Sequence, residues 1–153
     1  MQKALKQALV AFKKNEVPVG ALVVDTKGVV LARGYNRIET DKCQSAHAES
    51  IAIKRACKKI GDWRLDHFSI YVTLQPCLMC FGLIRLSRIK TLVYGASSPL
   101  FGFELDNKAP FSIYSKGLVI RRGVLEEPSV ELLKAFFKGH RVKDKLWSNE
   151  KNF

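Results

Sequence analysis

The chain has 153 residues, of which 47% are apolar and 26% charged, a balance typical of a globular domain long enough to bury a core. No run of about 18 apolar residues occurs and the N-terminus lacks the apolar segment of a signal peptide, so we expect no membrane span, no export and a cytoplasmic protein. The net charge of +12 indicates either a polyanionic partner, nucleic acid above all, or a generally basic surface.

The first part of the chain predicts a helix, a hairpin and a second helix. Residues 2–14 carry apolar side chains on one stripe with lysines opposite, the pattern of a surface helix. Residues 19–24 and 29–35 are two strands joined by a short Asp-Thr-Lys-Gly turn, which predicts an antiparallel hairpin. Residues 36–45 are polar and indicate a loop, and residues 46–59 predict a helix with a buried face of mostly small side chains.

The following part alternates strands and helices around one long connection. Residues 68–73 are a short strand, residues 77–86 a helix that follows a proline, and residues 91–94 another strand bounded by a glycine. Residues 96–117 are irregular and rich in aromatic residues, proline and glycine, and connections of this length are usually functional or disordered. Residues 118–125 predict the fifth strand.

The order of these elements predicts the fold class. A last helix is expected to start at Pro128 or Ser129, and the basic tail from about residue 139 is expected to fray. No repeat, linker or low-complexity tract interrupts the chain, so residues 1–153 are expected to form a single domain. A hairpin followed by alternating helices and strands predicts an α/β protein, three-layer α/β/α with a mixed five-stranded sheet.

Two short motifs carry the candidate chemistry. Cys77 and Cys80 lie three residues apart at the start of a predicted helix, where the helix dipole favours the thiolate form, and His47 opens the preceding helix. A zinc ion (Zn2+) held by these three side chains would keep one position open for water, which is typical of catalytic rather than structural zinc. The zinc would bring the pKa of that water towards neutrality, and Glu49 is the nearby carboxylate that would move protons.

Other interpretations of the two motifs stay open on the residues alone. A CxxC pair is often half of a structural zinc site or a redox pair, and a histidine near a helix start is usually a surface residue. A structural zinc would need a fourth ligand, and Cys43 in the loop before His47 is the candidate that would remove the open position. Cys57, within a predicted helix, is expected to be a small core residue.

The combination H-x-E then P-C-x-x-C resembles the signature of the zinc-dependent nucleobase deaminases, and the chain is similar to the bacterial tRNA adenosine deaminases over roughly residues 4–141. The resemblance implies a cytidine-deaminase-like fold, a homodimer and conversion of the wobble adenosine of a tRNA to inosine. The segments that carry it are Glu16–Ala21, Gly34–Arg37, Ala46–Glu49, Tyr71–Leu74, Pro76–Cys80, Ser87–Ile89, Tyr94–Ala96 and Phe136–Lys138.

The same resemblance implies roles for individual residues. His47, Cys77 and Cys80 would hold one zinc per subunit, and Glu49 would be the catalytic acid and base. Four further residues would bind substrate: Asn36 would contact the flipped nucleotide, and Val17, Pro18 and Ala48 would wall the pocket. From the residues alone, Asn36 at a strand end would more simply stabilise its own turn.

Two departures from the family pattern concern substrate choice rather than chemistry. Gln75 stands where the family usually has glutamate. Ser97–Gly102 replaces the family's Arg-Asp followed by a Lys-Thr-Gly-type loop that meets the anticodon loop. Phe101 and Phe103 in this region are expected either to stack on bases or to pack the loop. Phe136 and Phe137 in the last helix are expected to be core residues, although one of them could contact the RNA.

The resulting hypothesis is hydrolytic deamination of an unpaired adenine in the anticodon stem-loop of a tRNA, with Glu49 transferring the protons. The basic surface, including Lys138, Arg141, Lys143 and Lys145, would hold phosphates. Two alternatives are weighed against it. One is a deaminase of a free base or nucleotide such as cytosine, guanine or deoxycytidylate, and the other is a non-catalytic RNA-binding module stabilised by zinc.

Overall fold

The computed structural model describes the backbone of residues 1–103 and 117–150, and side-chain surroundings as far as residue 139. Within these ranges there are five helices and five strands. The helices are α1 (Gln2–Lys13), α2 (Ile38–Asp41), α3 (Ala48–Ile60), α4 (Leu78–Leu86) and α5 (Glu126–Glu150). The strands are β1 (Gly20–Val24), β2 (Val30–Tyr35), β3 (Ser69–Leu74), β4 (Thr91–Ala96) and β5 (Val119–Arg121).

The five strands form one mixed sheet in the order β2-β1-β3-β4-β5. Strand β1 pairs antiparallel with both β2 and β3, whereas β3, β4 and β5 run parallel to one another. The β1–β2 hairpin turns at Asp25, whose carboxylate accepts hydrogen bonds from the backbone N–H groups of Lys27 and Val29, and at Gly28, whose φ of +80° suits glycine. The predicted mixed five-stranded sheet is confirmed.

Helices cover both faces of the sheet. A Cβ added at Gly20 would lie 2.2 Å from the backbone oxygen of Ala4 in α1, and one added at Gly34 would lie 2.2 Å from that of Ala48 in α3. Gly34 is opposite Ala21 in the register, and neighbouring strand residues point to opposite faces, so α1 and α3 lie on opposite sides. Helix α4 packs beside α3, and α5 covers the α1 side, where Ser129 meets Gly95. The three-layer α/β/α prediction is confirmed.

Helix α3 packs closely on the sheet because its inner face is made of alanines. Ala48, Ala52 and Ala56 are all fully buried in the main core, against strands that contribute Val72 and Tyr94. Small side chains on the helix and glycine on the strand let the two backbones approach. This approach matters for function, since the N-terminus of α3 is where His47 and Glu49 lie.

Replacing Gly34 by Ala should therefore lower the free energy of unfolding by about 1–3 kcal/mol, because the added methyl meets backbone atoms of α3 that cannot rotate away. Urea denaturation followed by circular dichroism measures the change. Gly139→Ala is the matched control: this glycine lies in α5 with nothing near its missing Cβ, so alanine should raise stability by up to about 1 kcal/mol. Equal effects of the two substitutions would contradict the close approach.

Three segments depart most from the predicted elements. The expected loop 36–45 contains the single turn α2, and β5 stops at Arg121 because Gly123 and Leu125 adopt positive φ and Val124 turns to bond the backbone oxygen of Tyr94. Helix α5 begins at Glu126 and continues through Glu150 instead of fraying from residue 139. One glycine within a helix costs only about 1 kcal/mol, and the residues that follow are good helix formers.

Two further expectations concern the rest of the chain. Of the long connection 96–117, residues 104–116 lie outside the described part, so the prediction of an irregular segment can be followed only as far as Phe103. Within the described helices, none combines the length and the apolar character needed to cross a bilayer.

Candidate active site

Two helix N-termini meet at one point of the structure. His47 is the N-cap of α3 and Cys77 is the N-cap of α4, both with extended backbone angles, and Cys80 follows in the first turn of α4. This point lies at the edge of the sheet where β2, β3 and β4 end. Strand β1 begins at the same edge, because it runs antiparallel to β2 and β3. The carboxyl ends of neighbouring strands and the helix starts that follow them form the candidate site.

The side chains of His47, Cys77 and Cys80 converge on each other. The Nδ1 atom of His47 lies 3.6 Å from the sulfur of Cys77 and 3.4 Å from that of Cys80, and the three candidate ligand atoms all lie within 4.8 Å of one another. An imidazole with two sulfur atoms is a donor set that suits zinc. The residues predicted to hold the metal are thus brought together, and the set fits a zinc ion with three protein ligands.

The electrostatics of this cluster favour metal binding. The pKa of Cys77 is lowered to about 4, first because the Cys80 thiol donates a hydrogen bond to its sulfur and then because His47 does the same. That donated bond and burial raise the pKa of Cys80, and the hydrogen bond to Cys77 raises the pKa of His47. The cluster therefore holds one thiolate at neutral pH, and a bound cation would favour loss of the second thiol proton.

Glu49 is a buried carboxyl next to the cluster. It lies in the first turn of α3, and only 4% of its surface is exposed. Burial raises its pKa to about 7, although His47 and the Cys80 thiol act in the opposite direction. His47 and Glu49 can face the same site despite being two residues apart because His47 has extended rather than helical backbone angles. A carboxyl with a pKa near neutrality can both accept and donate a proton.

Cys43, the possible fourth ligand, lies outside the metal-binding group. It is exposed, and its sulfur lies 3.2 Å from the hydroxyl oxygen of Ser45. Ser45, two residues before His47, therefore contacts Cys43, and the N-cap position of α3 belongs to His47. Cys57 is half-buried and its thiol donates to the backbone oxygen of Trp63. Among the described residues, the group that could hold a metal comprises one histidine and two cysteines.

The residues predicted to bind substrate lie at the same end of the sheet with different degrees of exposure. Asn36 follows β2 and is 4% exposed, and the next residue, Arg37, donates its backbone N–H to the oxygen of Ala46 just before His47. Val17 is half-buried and Pro18 buried in the connection from α1 to β1. Ala48 is fully buried against β2 and belongs to the core. Their contact with a nucleotide stays a prediction.

Glu16 is a functional candidate to which sequence reasoning assigned no role. Its carboxylate is 1% exposed and accepts hydrogen bonds from the amide of Asn36 at 3.3 Å and from the backbone N–H groups of Glu39 and Thr40 at 3.2 and 2.7 Å. These bonds cap the short helix α2 and fix the orientation of the Asn36 amide. The hydrogen-bond partners of Glu16 are 20 or more residues away along the chain, so no local sequence pattern could have predicted these bonds.

Replacing Glu16 by Gln should lower the free energy of unfolding by about 3 kcal/mol. The change keeps the shape but turns one acceptor oxygen into a donor facing other donors, which leaves buried N–H groups unpaired. Glu39→Gln is the matched control, since Glu39 lies in the same segment with an exposed side chain, and it should be neutral within about 0.5 kcal/mol. Thermal unfolding measures the stability of both variants. A Glu16→Gln protein as stable as the wild type would contradict the hydrogen bonds assigned to Glu16.

The two departures from the family pattern, Gln75 and the segment Ser97–Gly102, are in direct contact. The side-chain oxygen of Gln75 accepts the backbone N–H of Ser98 at 2.9 Å, and a Cβ at Gly102 would collide with that same amide. Gly102 bridges to Cys77, so the segment 97–103 is attached directly to the metal-binding turn. Gln75 therefore holds the segment that follows β4 against the candidate site.

The aromatic residues near the site divide into core and surface groups. Phe103 is buried and stacks on Phe81 with ring centroids 4.1 Å apart, so it packs the loop, whereas Phe101 is 74% exposed. In α5, Phe136 is buried against Phe12, and Phe137 is 46% exposed. Phe101 and Phe137 are thus the two of these side chains that a base could reach.

Relatives of the chain are consistent with this geometry. A family model described as MafB19-like deaminase matches residues 1–141. The tRNA-specific adenosine deaminase of Bacillus subtilis (strain 168) is 42% identical over 147 residues, which cover 95% of this chain and 91% of the relative. That of Rickettsia bellii (strain RML369-C) is 44% identical over 143 residues, which cover 90% of this chain and 97% of the relative.

A solved structure shares both sequence and fold. It comes from work on A-to-I editing by tRNA:A34 deaminases at the wobble position of transfer RNA, and it is 37% identical to this chain with a TM-score of 0.79. The match covers 87% of this chain and 97% of that one. The arrangement of sheet and helices around the His47 and Cys77 turns is therefore that of a known class of deaminase.

Proposed function

The chain belongs to the family of the tRNA-specific adenosine deaminases, and from this membership we propose that it hydrolyses the wobble adenosine in the anticodon loop of a tRNA to inosine. The observation that carries the proposal is the convergence of His47, Cys77 and Cys80 beside the buried carboxyl of Glu49. Members of this family are enzymes, which removes the alternative of a non-catalytic RNA-binding module.

His47, Cys77 and Cys80 would hold one zinc ion per subunit. When bound by three protein ligands, zinc supplies acidified water as a nucleophile at neutral pH. The depressed pKa of Cys77 and the two N-cap positions support this assignment, because thiolate is the ligand form and the helix starts favour negative charge.

Glu49 would transfer the protons of the reaction. Its carboxylate accepts a proton from the attacking water, delivers it to the ring nitrogen next to C6 of the adenine, and passes the second water proton to the departing amine. One water and one adenosine thus give inosine and ammonia. Burial supports this role, since it keeps the proton affinity of the carboxyl near that needed for both acceptance and donation.

Asn36 would hold the flipped nucleotide, and Val17, Pro18 and Ala48 would form the wall beside it. The fixed orientation of the Asn36 amide supports its assignment, because Glu16 accepts one amide N–H and no other described side chain is bonded to the amide oxygen, which can receive a donor from substrate. Anticodon bases are unpaired, so little energy is needed to bring one of them into such a pocket. A tRNA substrate would also place the enzyme in the cytoplasm.

A homodimer would cover the exposed face of α4. Leu78, Met79 and Leu86 are 54, 45 and 64% exposed, and they share a side of the helix with Gly82, which adds no side chain between them. Because Cys77 is the N-cap of α4, a second copy seated there would lie close to each metal site. Leu86→Glu should shift the protein from dimer to monomer in light scattering, and an unchanged mass would contradict this interface.

The experiment that tests the proposed activity is direct. Purified protein with zinc is incubated with an anticodon stem-loop RNA carrying a wobble adenosine, with the same RNA carrying guanosine there, and with free cytosine, guanine or deoxycytidylate. Inosine in the first RNA, found by mass spectrometry of the nucleosides, is the expected result. Ammonia released only from a free base or nucleotide would show the alternative class of deaminase.

A further inference from the structure

A concave surface lies outside the metal cluster, between α2 and the outer side of α3. It has a volume of about 240 Å³, and we call it the α3 cleft. Its lining residues are Arg37, Asp41, Ile51, Lys54, Arg55 and Lys58. Four of the six side chains are cationic and one is acidic, so the cleft carries a net charge of three positive units.

The α3 cleft begins one helical turn after His47 along α3. Ile51, Lys54 and Lys58 are spaced by three and four residues, which places them on one side of α3, and the backbone N–H of Ile51 donates to the oxygen of His47 at 3.1 Å. At 1.5 Å per residue the stripe extends about 16 Å from the histidine. Arg37, at the near end, directly follows Asn36, and its backbone N–H bonds the oxygen of Ala46. A strand leaving the site on this side would run along the cleft.

Most of the positive charge in the cleft is not neutralised within the protein. Arg37 pairs with Asp41 at 2.7 Å, but no carboxylate of the described residues pairs with Lys54 or Lys58, both of which are exposed. Arg55 donates to the backbone oxygen of Arg33 at 2.8 Å, which holds its guanidinium beside the cleft without cancelling its charge. Three cations are therefore available to an anionic ligand.

We propose that the α3 cleft binds backbone phosphates of the RNA strand that flanks the nucleotide in the active site. This inference rests on the proposed function, since it takes the RNA to be centred on the metal cluster. A polyanion with regularly spaced charges suits a stripe of cations, and the overall charge of +12 favours the same class of ligand. The half-buried Ile51, at the end of the stripe nearest His47, offers an apolar contact for ribose.

The test compares two double variants that change the net charge equally. Lys54→Glu with Lys58→Glu reverses the cleft, and Lys3→Glu with Lys6→Glu reverses two exposed lysines of α1 on the opposite face of the sheet. The Kd of a fluorescent anticodon stem-loop RNA is measured by polarisation over a range of salt concentrations. The cleft variant should bind about ten-fold more weakly, and its salt slope should fall by about two. The α1 variant should change Kd by less than about two-fold.

The outcomes separate this inference from the proposed activity. Equal weakening in the two variants, or none in either, would overturn the α3 cleft as a phosphate site. If the cleft variant binds RNA as the wild type does but no longer binds polyglutamate, the proposal of a phosphate site would be overturned in favour of an acidic protein partner. Because Kd does not depend on turnover, wild-type protein that binds RNA through the cleft but forms no inosine would refute the proposed activity alone.

Discussion

Replacing Glu49 by Gln should lower the rate of inosine formation by about 100- to 10,000-fold while the protein keeps its zinc. The carboxyl is the buried acid beside the metal cluster, and positioned proton transfer contributes about 100- to 10,000-fold to such reactions. Glutamine has the same shape but cannot accept the water proton at neutral pH. Single-turnover assays with an anticodon stem-loop measure the rate, and metal analysis of the same samples measures zinc.

The control for Glu49 is Glu39→Gln, which removes an exposed carboxyl of the neighbouring segment and should leave the rate unchanged. A structural role for Glu49 predicts loss of zinc or of the folded state together with the rate. A Glu49→Gln protein that retains normal turnover would remove this residue from the mechanism.

Replacing Cys80 by Ala should abolish both zinc binding and activity. Only three side chains of the described residues form the candidate metal site, so removal of one leaves two ligands, too few for tight binding. The wild-type protein should carry one zinc per chain and the variant almost none, as measured by plasma mass spectrometry after dialysis. The loss of activity should match the loss of metal.

The chain supplies its own matched controls for the cysteine test. Cys43 and Cys57 lie outside the candidate metal group, and their alanine variants should keep one zinc per chain. Cys57→Ala removes a half-buried thiol and should reduce stability slightly, whereas Cys43→Ala changes only an exposed side chain. Loss of zinc in Cys43→Ala would mean that the metal has four protein ligands.

The sequence could predict the sheet because its strands have clear patterns and short turns. The hairpin over β1 and β2 and the two helices that open at His47 and Cys77 follow from periodicity and from the turn residues between them. Two of the boundaries that were wrong depend on distant contacts: α2 forms where Glu16 caps it, and β5 ends where the chain turns to bond Tyr94. Such contacts leave no local pattern to recognise.

In the candidate active site, the sequence predicted which side chains are present but not the residues that orient them. His47, Cys77 and Cys80 are brought together as expected. The zinc ion that they would hold stays a prediction, as does the single domain over residues 1–153. The substrate-binding roles also stay predictions, namely those of Asn36, Val17, Pro18 and Ala48. The role of Glu16 in orienting Asn36 and the bond from Gln75 to Ser98 could not be predicted, since each depends on tertiary packing.

The coordination of zinc in the purified protein tests the central claim most directly. X-ray absorption at the zinc edge should show two sulfur ligands, one imidazole nitrogen and one light-atom ligand that exchangeable anions can replace. The same spectrum should be obtained from the Cys43→Ala variant. A third sulfur at about 2.3 Å, absent from that variant, would mean that the metal site is closed and structural, and would contradict the account.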